Sequence, residues 1–454
     1  MDETKCFFFY DLETSGLNPR EDRIMQFAGI RTDLDLNPVA EPVNILLKLP
    51  DDTLPSPGAI AVTKITPQMT QQDGLTEAEF CHYVTDEIFI PGTCALGFNS
   101  VRFDDEFMRH LFWRNFYDPY EWQWKDGRSR WDILDLVRLT RALRPEGINW
   151  PTQQKEIRGE TVEVKTNRLE LITKLNNIEH EHAHDALADV YATVAVAKLI
   201  KEKQPELFDF LFKMRNKRMV QKLVNLENPA PFVYTCGRYS GEYDKTTVAF
   251  PLAPSKNGNV LVYDLRQEPS DEISYPTIKE LYYNRCPAVA PLGVLDKDSG
   301  WEKIGLDKEA IEKNLKELLK HPEIAEKARE ENENRPEFPE AIDPESALYD
   351  GFLDDGDRSL CGLVRAADKN ALTDLHPDFT DDRLEPLLLH YKAKNFPGTL
   401  SEDEQKKWEG YRLERLKRQA GPFEKQLEEI SGKTDPFIVE ELLLWYQSLA
   451  GTDY

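Results

Sequence analysis

Cysteine is scarce in this chain. The six among 454 residues, Cys6, Cys81, Cys94, Cys236, Cys286 and Cys361, are scattered, and no two stand in a C-x-x-C spacing. That argues against a disulfide framework and a zinc site, and it suits a reducing, cytoplasmic setting. Long hydrophobic runs are absent too: no stretch of about 18 apolar residues occurs, so no membrane span is expected. The opening Met-Asp-Glu-Thr-Lys is acidic and leads directly into a strand pattern, unlike a secretory leader. Positive charge is the third shortage, with 57 Lys and Arg against 82 Asp and Glu, a net −25. The sum reads against a polyanionic partner, but binding depends on a local basic path. Part of the excess is concentrated: residues 323–345 hold nine acidic side chains against three basic.

What is present implies two or three domains, because the length exceeds what one core supports. Over the first ~200 residues strand patterns (7–12, 26–32, 43–49, 93–98) alternate with helical ones (104–113, 185–201), which predicts an α/β unit. Short β-like pieces separated by Gly, Pro and Asn follow, favouring a small barrel or sandwich, then an amphipathic helix over 307–320. Residues 332–344 read as a linker or exposed loop. From about 347 the pattern is helical: 383–395, a break at Phe396-Pro397-Gly398, a capping box from Ser401 to Glu404, and a last helix with Ile438, Leu442, Leu443 and Trp445. The expected domains are 1–201, 202–346 and 347–454. There is no internal repeat.

The chemistry starts at Asp11-Leu12-Glu13-Thr14-Ser15-Gly16-Leu17, directly after Phe7-Phe8-Phe9-Tyr10. In a strand, residues i and i+2 share a face, so Asp11 and Glu13 aim together. Two such carboxylates favour protonation unless a cation sits between them, and a hard divalent ion prefers carboxylate oxygen. Alone, the pair fits an acidic strand end equally well. Two further acidic sites change the balance. Asp104 follows the 93–98 strand through Asn99-x-x-x-Phe103, and His184 stands five residues before Asp189 at the start of a long helix. Phosphodiester hydrolysis needs a deprotonated water, neutralised charge and a stabilised leaving oxygen. Two ions about 3.5–4 Å apart on several carboxylates supply these, and a histidine of pKa about 6.5 can take the proton. Asp11, Glu13, Asp104 and Asp189 are therefore assigned as metal ligands and His184 as general base. Asp185 shares a helical face with Asp189 but reads better as a dipole-satisfying residue, and Asp105 and Glu106 compete with Asp104. A zinc cluster of His180, His182 and His184 lacks a fourth ligand; His180 and His182 are expected to face solvent.

Aromatic and basic side chains interleave from Phe107 to Trp131. Phe107, Phe112 and Trp113 read as core. Tyr120 and Trp124, in a polar Pro-containing loop, suit the stacking of unpaired bases. Arg215, Lys217 and Arg218 form a basic cluster that reads first as a solvated helix face and second as a path for a strand.

The acidic set resembles the DEDDh branch of the 3′–5′ exonucleases. Ser100-Val101-Arg102-Phe103-Asp104-Asp105-Glu106, Arg114-Asn115-Phe116-Tyr117-Asp118-Pro119-Tyr120, the Leu143-to-Pro151 stretch LRPEGINWP, residues 183–191 and Asn395-Phe396-Pro397-Gly398-Thr399-Leu400 resemble bacterial exonuclease I, over essentially the whole chain. The resemblance implies an α/β, RNase H-like exonuclease domain with a mixed sheet, an SH3-like β-containing domain and an α-helical C-terminal domain that close a channel. It implies processive, metal-dependent release of 5′-mononucleotides from the 3′ end of single-stranded DNA, in DNA repair and recombination. Two Mg2+ per site, with Mn2+ as a substitute, are the expected cofactors. The family pattern selects Asp104, and it supports Arg109, Tyr120, Trp124, Arg138 and Arg168 as substrate contacts, Arg168 toward the terminal nucleotide; Lys217 and Glu13 are expected to contact substrate as well. The expected partners are single-stranded DNA and the acidic C-terminal tail of the single-stranded DNA-binding protein, with Arg144 one contributor to the tail's pocket. A monomer is expected. The alternatives are an RNase or proofreading exonuclease on the same set, and a non-catalytic DNA- or partner-binding module.

Overall fold

Four consecutive aromatics set the centre of the fold. A computed structural model describes residues 4–157, 159–180, 185–269, 277–336 and 340–450. Phe7, Phe8, Phe9 and Tyr10 lie in strand β1 (Cys6–Thr14), each at most 2% exposed. Side chains in a strand alternate, so burying all four requires cover on both faces. Phe7 and Phe9 pack with Val190, Val194 and Ala197 of the helix Ala186–Lys203. Phe8 and Tyr10 face the other way, onto Phe80, Phe107 and Leu111. The result is a three-layer α/β/α unit.

β1 sits in the middle of its sheet. It pairs antiparallel with β2 (Ile24–Thr32), which pairs with β3 (Val43–Leu46). On its other side it runs parallel to β4 (Thr93–Gly97), which pairs in parallel with β5 (Ser129–Asp132). The order β3-β2-β1-β4-β5 makes the sheet mixed, as expected. Gly29 opposes Tyr10, where a Cβ would come within 2.4 Å of the Phe8 ring, so this close crossing admits only glycine. β5 has four residues, too few for a periodic signal. The polar hairpin of β6 (Thr152–Ile157) and β7 (Glu160–Lys165) lacks the apolar alternation that marks a half-buried strand.

The next strands, β8 (Phe232–Thr235), β9 (Thr246–Pro254), β10 (Val260–Asp264), β11 (Ile278–Leu281) and β12 (Ala288–Pro291), form an antiparallel sheet in the order β11-β10-β9-β8-β12. Phe232, Val262 and Val289 fill its own core. Val233, Val248 and Leu261, on the opposite face, join the cluster that contains Trp131 and Phe208. The first two units thus share continuous apolar packing.

Helices dominate the remainder. Glu402–Ile430 starts on the expected capping box, with reciprocal bonds between Ser401 and Glu404. It and Pro436–Ala450 press Leu416, Phe423, Leu442 and Trp445 onto Met25, Leu54 and Ile60 of the first unit. Ile438, Leu442 and Trp445 are buried, whereas Leu443 is 41% exposed, a quarter-turn off the packed face. The acidic 332–344 stretch departs from an exposed linker at its end. Asp343 and neighbouring Glu345 are buried, because Arg23, Lys394 and Arg415 neutralise them. Among the described residues no helix is long and apolar enough to cross a membrane.

Candidate active site and strand channel

Strand parity assembles the acidic site. Asp11 and Glu13 continue the Phe7–Phe9 face of β1, the face covered by the Ala186 helix, so they emerge beside that helix's first turn. Asp189 lies in that turn. One carboxylate oxygen from each of Asp11, Glu13 and Asp189 lies within 4.8 Å of the others. Asp104 opens the helix Asp104–Arg114 and accepts a hydrogen bond from the Leu12 amide at 3.2 Å, which ties it to β1. Asn99, in the left-handed region at φ 72°, turns the chain between β4 and this helix.

The neighbouring acids have other partners. Asp185 is the N-cap of the Ala186 helix, accepting from the Ala188 amide at 3.1 Å. Asp105 accepts from the Tyr10 hydroxyl at 2.5 Å and pairs with Arg130. Glu106 pairs with Arg109 at 2.6 Å and accepts from the Tyr349 hydroxyl.

The gathered carboxylates hold their protons tightly. Burial first, then Asp104, Glu13 and Asp189, push Asp11 well above the ordinary carboxylate range. Glu13 is pushed up to about 8 by burial, then Asp189 and Asp185. Burial and then Asp105 raise Asp104. Such oxygens, close-set and short of countercharge, fit a hard divalent cation. His180 corrects an expectation. Its side chain is only 4% exposed, with Nε2 2.6 Å from Asp189 Oδ1 and Nδ1 3.2 Å from Thr173 Oγ1, rather than facing solvent. His182 and His184 lie outside the described residues.

A channel of about 1530 Å³ runs between the three units. Its wall takes Arg102 and Arg109 from the first unit, Lys217 and Arg285 from the second, and Tyr349 and Phe352 from the third. Ten Lys and Arg line it within a chain of net charge −25. Trp124 is 64% exposed in the wall, and Arg109 lies over the Tyr120 ring at 5.4 Å.

Comparison with known proteins fits this layout. The exonuclease family model matches residues 8–197, the exonuclease I SH3-like domain matches 215–277 and 270–332, and the exonuclease I C-terminal domain matches 342–449. Exodeoxyribonuclease I of Haemophilus influenzae is 39% identical over 449 residues, 93% of each chain. The chain belongs to the exonuclease I family. The crystal structure of Escherichia coli exonuclease I with a dA16 oligonucleotide superimposes with a TM-score of 0.90 at 36% identity, covering 98% of this chain and 100% of that one. Two more solved structures match at 36% identity. One is a zinc-bound complex of E. coli exonuclease I with single-stranded DNA (TM-score 0.90, covering 99% of this chain and 100% of that one); the other is SSB/exonuclease I with the inhibitor CFAM (TM-score 0.88, 98% and 100%).

Within this exonuclease the expected strand contacts divide. Arg109, Tyr120, Trp124 and Lys217 line the channel. Arg138 is outside its wall, paired with Asp135 at 2.6 Å and packed toward Gly237 of the second unit. Arg168 precedes the helix Leu169–Leu175, 58% exposed and paired with Glu170. Arg144 pairs with Asp298 at 3.5 Å. The 215–218 cluster, read first as a solvated face, lines the channel. Sequence reading missed Arg20, Arg102, Arg285, Tyr349 and Phe352. Arg102 alone carried a signal, standing two residues before Asp104; the others meet only through tertiary packing.

Proposed function

We propose that this exonuclease I degrades single-stranded DNA processively from the 3′ end, in DNA repair and recombination, with Asp11, Glu13, Asp104 and Asp189 holding two Mg2+ ions. The observation that supports this most is the convergence of Asp11, Glu13 and Asp189, with Asp104 tied to the same strand, in a molecule whose channel is basic. Bound metal would supply water activation and neutralise charge on the scissile phosphate; Mn2+ satisfies the same oxygen donors. The protein's own tasks follow from its residues. Asp11 and Glu13 are prepositioned by β1 and Asp189 by its capped helix, so little reorganisation accompanies binding. A ring nitrogen of His184 takes the proton of the attacking water. Channel arginines and Lys217 hold phosphates while Tyr120 and Trp124 stack bases, which holds a strand without reading sequence. Arg138 and Arg168 are proposed contacts outside the described wall, Arg168 at the terminal nucleotide. The acidic tail of a single-stranded DNA-binding protein is the proposed protein partner, docking with a contribution from Arg144. One chain supplies all the residues that line its channel and needs no second copy, so a monomer is the proposed working unit.

Equal lengths of single-stranded DNA, blunt duplex and RNA, each with Mg2+, test the substrate class. The expected result is rapid loss of the single-stranded DNA alone. Faster digestion of the RNA would overturn the assignment in favour of a ribonuclease.

A further inference from the structure

Glu106 is out of character with its surroundings. Among the described residues lining the channel it is the one carboxylate, set against ten Lys and Arg. A chance acid in a wet, basic groove would be loosely placed, but this one is held from all three units. Arg109, on the same helix, pairs with Oε1 at 2.6 Å. Arg285, between β11 and β12, brings Nη2 to 4.0 Å from the same oxygen. Tyr349, from the C-terminal unit, donates its hydroxyl to Oε2. The Glu106 side chain is 16% exposed and that of Arg109 only 7%, so the charges interact through a poorly solvated wall.

This arrangement has a consequence for a phosphate chain. A carboxylate that already compensates Arg109 and sits within reach of Arg285 weakens the field that a phosphate meets there. Tyr349 fixes the carboxylate in place, so it cannot swing aside as a strand enters. A continuous run of uncompensated cations would bind DNA tightly, but it would also oppose each forward step, because every phosphate must leave one site to occupy the next.

Accepting the reading of the channel as the DNA path, we propose that Glu106 is a built-in competitor for the DNA phosphates. It lowers the strand's affinity at Arg109 and Arg285 and thereby keeps the strand mobile during successive cleavages.

The test compares wild type with Glu106→Gln and Glu106→Asp, using a fluorescent single-stranded oligonucleotide in EDTA over a salt series, then turnover at saturating DNA with Mg2+. Gln removes the charge, its oxygen still able to accept from Arg109 while its amide donates to the Tyr349 hydroxyl; Asp keeps the charge. Glu106→Gln should bind roughly fivefold tighter, the equivalent of about 1 kcal/mol. Its salt dependence should steepen and its saturated turnover should fall. Glu106→Asp should show no tightening. Unchanged or weaker binding by Glu106→Gln, or equal tightening by Glu106→Asp, overturns the proposal and leaves Glu106 as a clasp between the units. Failure of the wild type to bind the oligonucleotide would instead strike at the DNA path itself.

Discussion

At the scale of single residues the candidate site is a concentration of carboxyl groups, and its pH behaviour follows. Glu13 has a folded pKa of about 8, against an ordinary 4.5. An acid raised in this way binds its proton more tightly folded than unfolded. Its favourable contribution is therefore complete below about pH 4.5, declines as pH rises, and is lost by about pH 8. Metal-free wild type should lose melting temperature across that window, and Glu13→Gln should lose less; equal slopes would contradict the coupling. Saturating Mg2+ should raise the wild-type melting temperature at pH 8, because it binds only the folded cluster, and no shift would count against a preformed site. That Asp11 and Glu13 share a face was legible from parity; their role needed Asp104 and Asp189 beside them. His180 was not, because its contact with Asp189 spans nine residues of chain that no periodicity describes.

Elements place these residues, and their ends matter most. Asp189 sits in the first turn of a helix whose N-cap is Asp185. Removing a cap typically costs about 1 kcal/mol. Asp185→Ala should therefore lower unfolding free energy in denaturant by about that amount and weaken Mg2+ binding, since the turn that carries Asp189 frays. Full stability with unchanged metal affinity would show that the cap is idle. The main strands and helices were legible where apolar periodicity was strong: β1, β2, β4, the Ala186 helix and the Ser401 capping box. β5 and the β6–β7 hairpin were not. The first is too short, and the second is stabilised by pairing rather than by burial.

For the whole molecule, the distribution of charge counts for more than its total. The net −25 concealed a basic channel, because its cations come from distant segments that only the fold brings together. The acidic stretch before the C-terminal helices also has a second role. Glu345, with a side chain 2% exposed, pairs with Arg23 and Lys394 and receives His390 at 3.0 Å; Lys394 reaches Asp52 at 2.8 Å. Arg23 follows the turn after β1, so this buried network links the C-terminal unit to the end of β1. Leaving such cations without their acid costs about 3–5 kcal/mol. Glu345→Gln should show a loss of that order in denaturant melts and shorter processive runs on long DNA. A loss below about 1 kcal/mol would mean the network is replaceable by solvent.

The central claim is that the carboxylates gathered at the end of β1 perform metal-assisted cleavage of a DNA strand from its 3′ end. Single-turnover cleavage of a 5′-labelled single-stranded oligonucleotide tests it most directly, with wild type, Asp11→Ala and Asp189→Asn, each with Mg2+ and with EDTA. Wild type with Mg2+ should give a ladder shortening from the 3′ end. Chelator or either substitution should abolish it while oligonucleotide binding persists. Cleavage that survives the loss of Asp11 or Asp189 would place the chemistry elsewhere in the molecule.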